Sequence, residues 1–188
     1  TLLLALGYTK KDIVNEFYES EKYIFDVQSQ KWKTKFNPEN YRAKNFSEEV
    51  VDAKNGKVVI KLGDKINYLN AKKLSNEGLK DILVSKESLY GKFLHSDVKI
   101  NNEENGVLKI GTELNETNLN QILEAKIHTL EISVTNSINK GGYLLTTIFN
   151  DKNNTKDEAI TEIDKMLRPG EPPTIEIATQ IFNNLFFS

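Results

Sequence analysis

The chain of 188 residues contains no cysteine. Disulfides, thiolate metal sites and cysteine nucleophiles are therefore excluded. Only two histidines are present, so a zinc site is not expected either. The longest apolar runs, residues 2–6 and 185–187, are far shorter than the roughly 20 residues of a membrane span. We therefore expect a cytoplasmic protein with no membrane association.

An excess of charge of either sign is also missing. Lysine and arginine number 25, aspartate and glutamate 27, and the formal net charge is −2. A domain that coats nucleic-acid phosphates is normally clearly basic, so any DNA contact should be local. The proportions of hydrophobic and charged residues, 38% and 28%, are typical of a folded domain. Because Thr1 is not an initiator methionine, we expect the chain to be a piece of a longer protein.

Motifs that carry catalysis are absent as well. The chain has no phosphate-binding glycine loop, nucleophile elbow or metal-binding helix pattern. Residues 151–162 place oxygen-bearing side chains at the spacing of a calcium loop, but Lys156 replaces the glycine that such a loop requires. We expect no metal site and no catalytic residue. His95 and His128 have no obvious partner, and both are interpreted as surface or half-buried structural residues.

Local patterns predict a helix followed by a hairpin. Apolar residues at helical spacing predict a helix from a Thr9 cap to about Glu19. Polar and apolar residues then alternate in residues 23–27 and 32–36, which predicts two strands, and Pro38 should end the second.

The second predicted strand allows two interpretations. Lysines 31, 33 and 35 alternate with Trp32, Thr34 and Phe36. Such a face could hold phosphates beside aromatic rings that stack on bases. Alternatively, the lysines point outward and Trp32 and Phe36 enter the core of an ordinary hairpin. We favour the ordinary hairpin.

An internal repeat with an offset of 48 begins near Lys54: Gly63 falls on Gly111, and Asn67 falls on Asn115. Each copy predicts a strand, a glycine turn, an asparagine-capped helix and further strands. The predicted strands are residues 58–62, 81–85 and 91–94 in the first copy, and residues 107–110, 129–133 and 142–145 in the second. Two tandem strand-strand-helix-strand modules, at about 54–100 and 101–140, should result.

The last part of the chain predicts two helices separated by a proline-rich turn. Apolar spacing indicates a helix that ends near Leu167, and the tract Arg168–Pro173 must break it. Thr174 can cap the final helix. Arg168 is either a charge favoured at a helix C-terminus, or a guanidinium presented on a stiff platform for a ligand. The predicted fold class is α+β, with helices flanking a β-rich middle.

The run Met166–Thr174, followed by residues 185–188, resembles the lobe region of the β subunit of bacterial DNA-directed RNA polymerase. Leu3–Tyr8 is similar to the same lobe. Pro38–Arg42 and the paired modules are similar to the insertion that proteobacterial-type enzymes carry in it. The resemblance spans essentially the whole chain and implies an internal fragment of that subunit.

The resemblance implies a helical lobe framework of residues 1–21 and 141–188, interrupted by a β-rich insertion at 22–140. In this family the lobe forms a wall of the cleft that holds downstream DNA. Arg168, Gly170 and Glu171 would contact the non-template strand. The expected partners are the β′, α, ω and σ subunits and DNA.

The same resemblance implies a nucleotidyltransferase of transcription whose magnesium is held by β′, so this fragment has no catalytic residue and no cofactor. The insertion would dock regulators that enter the secondary channel. The alternative is a non-catalytic structural or protein-interaction module without a DNA role of its own.

Overall fold

The computed structural model describes residues 1–42, 48–103, 106–134, 150–170 and 172–187, and it confirms the α+β class. In these ranges the α-helices are α1 Leu2–Ala5, α2 Lys10–Phe17, α3 Tyr68–Asn76, α4 Glu116–Glu124, α5 Lys156–Leu167 and α6 Ile175–Phe186. The strands are β1 Ser20–Asp26, β2 Lys31–Lys35, β3 Val50–Asp52, β4 Val58–Ile60, β5 Asp81–Val84, β6 Phe93–Leu94, β7 Val98–Lys99, β8 Val107–Leu108 and β9 Thr129–Ser133. Two 3₁₀ helices span Pro38–Tyr41 and Lys86–Leu89. None of the described helices is long and apolar enough to cross a membrane.

Helix α2 starts where the sequence predicts and stops slightly earlier. The Asp12 amide donates to Thr9 Oγ1 at 3.1 Å, and the Thr9 amide donates to Asp12 Oδ2 at 2.9 Å. This reciprocal capping box satisfies amides that the first helical turn leaves unpaired. The helix ends at Phe17, because Tyr18 is already extended and β1 begins at Ser20.

Strands β1 and β2 form the predicted antiparallel hairpin, with Phe25 opposite Trp32. The hairpin lies inside a seven-stranded sheet of order β4-β3-β5-β2-β1-β9-β6. Every pairing in this sheet is antiparallel. Strands β7 and β8 pair separately. The hairpin therefore lies between strands that come from the two copies of the repeat.

The repeat is confirmed at the level of individual turns. Helices α3 and α4 begin and end 48 residues apart. Their caps are equivalent, since Asn67 Oδ1 and Asn115 Oδ1 each accept an amide hydrogen bond of 2.9 Å. Both helices are followed by a left-handed residue, Gly78 with φ 107° and Lys126 with φ 58°. The same chain path is thus built twice.

The two copies share one sheet, because β5 of the first copy pairs with β2 and β9 of the second pairs with β1. Several strands are shorter than predicted. Strand β4 ends at Ile60 and β8 ends at Leu108, while the strand predicted near residues 91–94 is β6. The strand predicted at 142–145 lies outside the described residues.

Helices α5 and α6 confirm the predicted helix-turn-helix at the end of the chain. Thr155 caps α5, and its hydroxyl accepts a hydrogen bond from the Glu158 amide at 3.2 Å. The predicted Thr174 side-chain cap is wrong, since that side chain makes no capping hydrogen bond. The first turn of α6 is instead held by the Ala178 amide, which donates to the Thr174 carbonyl at 2.9 Å.

Two hydrophobic cores are present. The sheet core contains Trp32 and buried residues of both copies, including Ala71 and Leu119 on α3 and α4. The helical core is made by α1, α2, α5 and α6, and its buried residues are Leu4, Ala5, Ile13, Val14, Tyr18, Ala159, Ile160, Ala178 and Phe182, together with Ile110 from the second copy. The second copy therefore contributes buried residues to both cores.

A polar junction fastens α2 to the sheet. The His95 side chain is buried, its Nε2 lies 2.6 Å from Asn15 Oδ1, and its Nδ1 lies 2.9 Å from Ser133 Oγ. Lys11 Nζ donates to the His95 carbonyl at 3.0 Å and to Glu131 Oε2 at 2.8 Å. The helical core and the sheet are thus joined by directional bonds at a fixed geometry.

Stability should depend on the protonation of His95. Burial lowers the pKa of its imidazole, the nearby Lys11 ammonium lowers it further, and Glu131 opposes the change. Folding therefore favours neutral His95, whose stabilising contribution is complete above the unfolded pKa of about 6.5 and is lost as pH falls below that value. His95→Gln should cost about 1–3 kcal/mol at neutral pH and should flatten the pH dependence of the free energy of unfolding.

Urea unfolding followed by Trp32 fluorescence measures this dependence. His128→Gln, at an exposed site, is the matched control and should keep the wild-type slope. An equal slope in wild type and His95→Gln would contradict the assignment.

Candidate functional site at the proline-rich turn

The turn between α5 and α6 is defined by one arginine and the proline that follows it. Arg168 is the C-terminal cap of α5, with φ −129° and ψ 69°, and its amide donates to the Asp164 carbonyl at 2.8 Å. A residue before proline is disfavoured in the α-helical region, so Pro169 forces this departure from the helix. The turn therefore holds the Arg168 backbone in one conformation.

The Arg168 side chain is held by a carboxylate one helical turn earlier. Its Nε donates to Asp164 Oδ1 at 2.8 Å and its Nη2 donates to Asp164 Oδ2 at 2.6 Å. Asp164 is buried, with 3% of its surface exposed, whereas 26% of the Arg168 side chain is exposed. The hydrogen bonds and positive charge of Arg168 hold the pKa of the Asp164 carboxyl below its ordinary value. Such a two-point fork fixes the plane of the guanidinium.

Gly170 allows the backbone of the turn to adopt a left-handed conformation. Its φ is 94°, in the left-handed region that favours glycine. A Cβ placed on it would meet no atom within 4 Å. The glycine is therefore required by conformation. Glu171, the third predicted contact residue, lies outside the described residues.

Large apolar side chains are exposed on the two helices that the turn connects. They lie at the end of α5 and along α6, and they are exposed by 45–75%: Met166, Leu167, Ile175, Ile177, Leu185, Phe186 and Phe187.

The lysine-bearing hairpin is the ordinary hairpin that the sequence analysis favours. Trp32 is completely buried and Phe36 is 7% exposed, so neither ring is available to stack on a base. On the opposite side, Lys31 Nζ lies 3.1 Å from Glu49 Oε1. The base-stacking interpretation is therefore wrong.

The histidine interpretation needs one correction. His95 is fully buried and bonded at both ring nitrogens, as described above, because the fold brings Asn15 and Ser133 to it from distant parts of the chain. His128 is exposed, as predicted, and its ring centroid lies 5.7 Å from that of Phe25.

The calcium-like spacing does not form a loop. Helix α5 begins at Lys156, so Asp157 and Glu162 lie on a helix, where residues five apart do not face each other. Within the described ranges, no group of three or more histidine, aspartate or glutamate side chains could hold a metal ion.

One partner could have been found from the sequence. Asp164 and Arg168 are four residues apart in a predicted helix, which is the spacing of a helical ion pair. The two interpretations of Arg168 drawn from the sequence do not include this partner.

No protein-family model matches the chain. The β subunits of DNA-directed RNA polymerase from Rickettsia conorii, Rickettsia felis and Rickettsia canadensis are each 38% identical to it over 187 residues. The alignments cover 100% of this chain and 14% of each of those subunits.

The chain is therefore homologous, along its whole length, to a segment of the RNA polymerase β subunit. This confirms the predicted resemblance to an internal segment of the β subunit.

Proposed function

We propose that this chain is the lobe of a DNA-directed RNA polymerase β subunit, that it forms a wall of the DNA cleft, and that Arg168 contacts downstream or non-template DNA. The observation that carries the proposal is that the whole of this chain is similar to a segment of β subunits. The chain contributes to a nucleotidyltransferase of transcription without supplying catalytic groups. Its partners in this cytoplasmic assembly are β′, α, ω and σ, and β′ holds the magnesium.

The same proposal divides the chain into a framework of residues 1–21 and 141–188 and an insertion of 22–140. The two hydrophobic cores support this division in the main, with Ile110 of the proposed insertion as an exception, since it is buried in the helical core. The Val134 amide donates to the Glu19 carbonyl at 2.8 Å, so Val134, late in the proposed insertion, lies beside the point at which the chain leaves the helical part.

The Arg168 contact follows from how the guanidinium is held. An arginine that is already fixed in orientation loses little side-chain entropy when it binds a phosphate or a base edge. The fork with Asp164 supplies that orientation and the proline-rich turn supplies the position. Gly170 and Glu171 follow Arg168 in the same turn and are proposed to lie beside the same DNA. Because the chain carries a net charge of −2, the contact adds to DNA binding by the assembly and does not replace it.

The insertion is proposed to dock regulators that enter the secondary channel. Its support is a separate core attached to the helical part by the His95 junction, which holds it at a defined angle. The alternative is an interaction module with no DNA role, and it predicts different behaviour for Arg168 variants.

Arg168→Ala in the assembled polymerase should weaken open promoter complexes, so that they dissociate at lower salt concentrations than the wild-type complexes. Loss of one phosphate contact should also reduce the magnitude of the slope of log affinity against log salt concentration by about 1. Asp164→Asn, which keeps the shape but loosens the fork, should weaken the complexes by a smaller factor. The measurement is the lifetime of promoter complexes across a salt series.

Lys165→Ala is the matched control, since it removes an exposed positive charge from the same helix without touching the fork. Wild-type lifetimes for Arg168→Ala would contradict the DNA contact and favour the interaction module.

Deletion of residues 22–140 should spare basal RNA synthesis and change the response to regulators of the secondary channel. A glycine-serine linker joins residues 21 and 141 in the deletion variant. Transcription with and without a purified regulator measures both quantities. Loss of basal synthesis would defeat the division into framework and insertion.

A further inference from the structure

Strand β4 forms an edge of the seven-stranded sheet and offers hydrogen-bonding groups outward. The Asp52 amide donates to the Lys57 carbonyl at 2.8 Å, and Val51 lies opposite Val58. In an antiparallel pair with this pattern, the amide and carbonyl of Val58 point away from the partner strand. No strand within the described ranges pairs with that outer edge. An extended chain could add to the sheet there.

A groove of about 360 Å³ lies between β4 and α3. Ile60, Ile66 and Leu74 line it, together with two lysines, Lys65 and Lys73, and two acids, Asp64 and Glu77. A chain paired with β4 would direct alternate side chains to the two faces of the sheet, and only one face meets the groove. The groove therefore selects the side chains of every second residue.

Exposed aliphatic side chains surround this edge. Val58 is 44% exposed, Leu62 is 74% exposed and Leu69 is 73% exposed. They come from β4, the turn that follows it and the first part of α3. Burying them would add an apolar contribution to backbone pairing.

The sequence around β4 is rich in lysine although the whole chain has a net charge of −2. Residues 54–73 contain six lysines and one acid, Asp64. The equivalent residues of the second copy, 102–121, contain one lysine and four glutamates. The equivalent β7-β8 hairpin of the second copy forms without these lysines, so the hairpin itself does not require them. The first copy alone carries a basic edge.

We propose that the outer edge of β4 binds an acidic segment of a protein partner, which adds to the sheet as an extended strand. Backbone pairing supplies affinity, the groove reads alternate side chains, and the lysines select acidic residues. Nucleic acid fits this surface less well, since phosphates cannot pair with a strand edge or cover the aliphatic side chains. A second copy of β4 fits poorly too, because the lysines that flank each edge would repel one another.

The inference rests on the proposed regulator-docking role of the insertion and gives it a surface and a partner chemistry. The test uses the 188-residue chain and a fluorescein-labelled peptide of alternating glutamate and valine. Fluorescence anisotropy measures the dissociation constant. A lysine-valine peptide and a single-stranded oligothymidylate are the comparison probes.

The double substitution Lys57→Glu with Lys61→Glu should weaken binding of the glutamate-valine peptide at least tenfold. Lys109→Glu, at the position equivalent to Lys61 in the second copy, should leave binding unchanged. Val58→Pro should also weaken binding, because it removes an outward amide without breaking the pairing of β4 with β3. The lysine-valine peptide should bind neither form.

Absence of peptide binding, or equal binding by the Lys57 and Lys61 variant, would overturn the proposal. Tighter binding of oligothymidylate, lost in the same variant, would make the surface a nucleic-acid site instead. Self-association of the chain that Val58→Pro abolishes would make the occupant a second copy. The assay contains no polymerase, so a negative result here, together with the expected promoter behaviour of Arg168→Ala, would reject this inference and leave the proposed function standing.

Discussion

The pairing of β1 with β2 is the constraint on which the rest of the structure depends. One strand of this hairpin pairs with β9 and the other pairs with β5, so the two copies of the repeat become parts of one sheet. Trp32 on β2 is completely buried in the common core. Strand β1 also follows closely on α2, which carries Lys11 and Asn15 to the junction with the sheet. Without the hairpin, the strands of the first copy and those of the second copy would not be joined in one sheet.

In the two copies of the repeat, the buried positions are constrained by packing, whereas the exposed positions are free to differ in charge. Inward positions are equivalent in the two copies, as with Ala71 and Leu119, both fully buried. Outward positions are not constrained in this way, and there the copies carry opposite charge. A duplicated unit can keep one copy for packing while the other acquires a binding surface. Both proposed contacts, the outer edge of β4 and Arg168, use residues that are not part of the equivalent inward positions.

Local features were accessible from the sequence. The Thr9 cap, the hairpin, the repeat and the asparagine caps depend on residues within one or two turns of each other, and each is confirmed. The partners of His95 were not accessible, because Asn15 and Ser133 are brought to it only by the pairing of distant strands. That both copies join one sheet could not be predicted for the same reason. The repeat indicates the path of each copy, but it does not indicate which strand lies between the copies. The proline-rich turn could be located from the sequence, but its meaning came from the family resemblance.

The central claim is that the hairpin and both copies form a single cooperative sheet. Native-state hydrogen exchange measured by NMR across a range of denaturant concentrations tests it most directly, because it gives an opening free energy for each strand. The account predicts that the protected amides of β5 and β9 open together with those of β1 and β2, with a common free energy and a common denaturant dependence. It would be contradicted if β5 or β9 opened at clearly lower free energy while the hairpin and the other copy stayed closed.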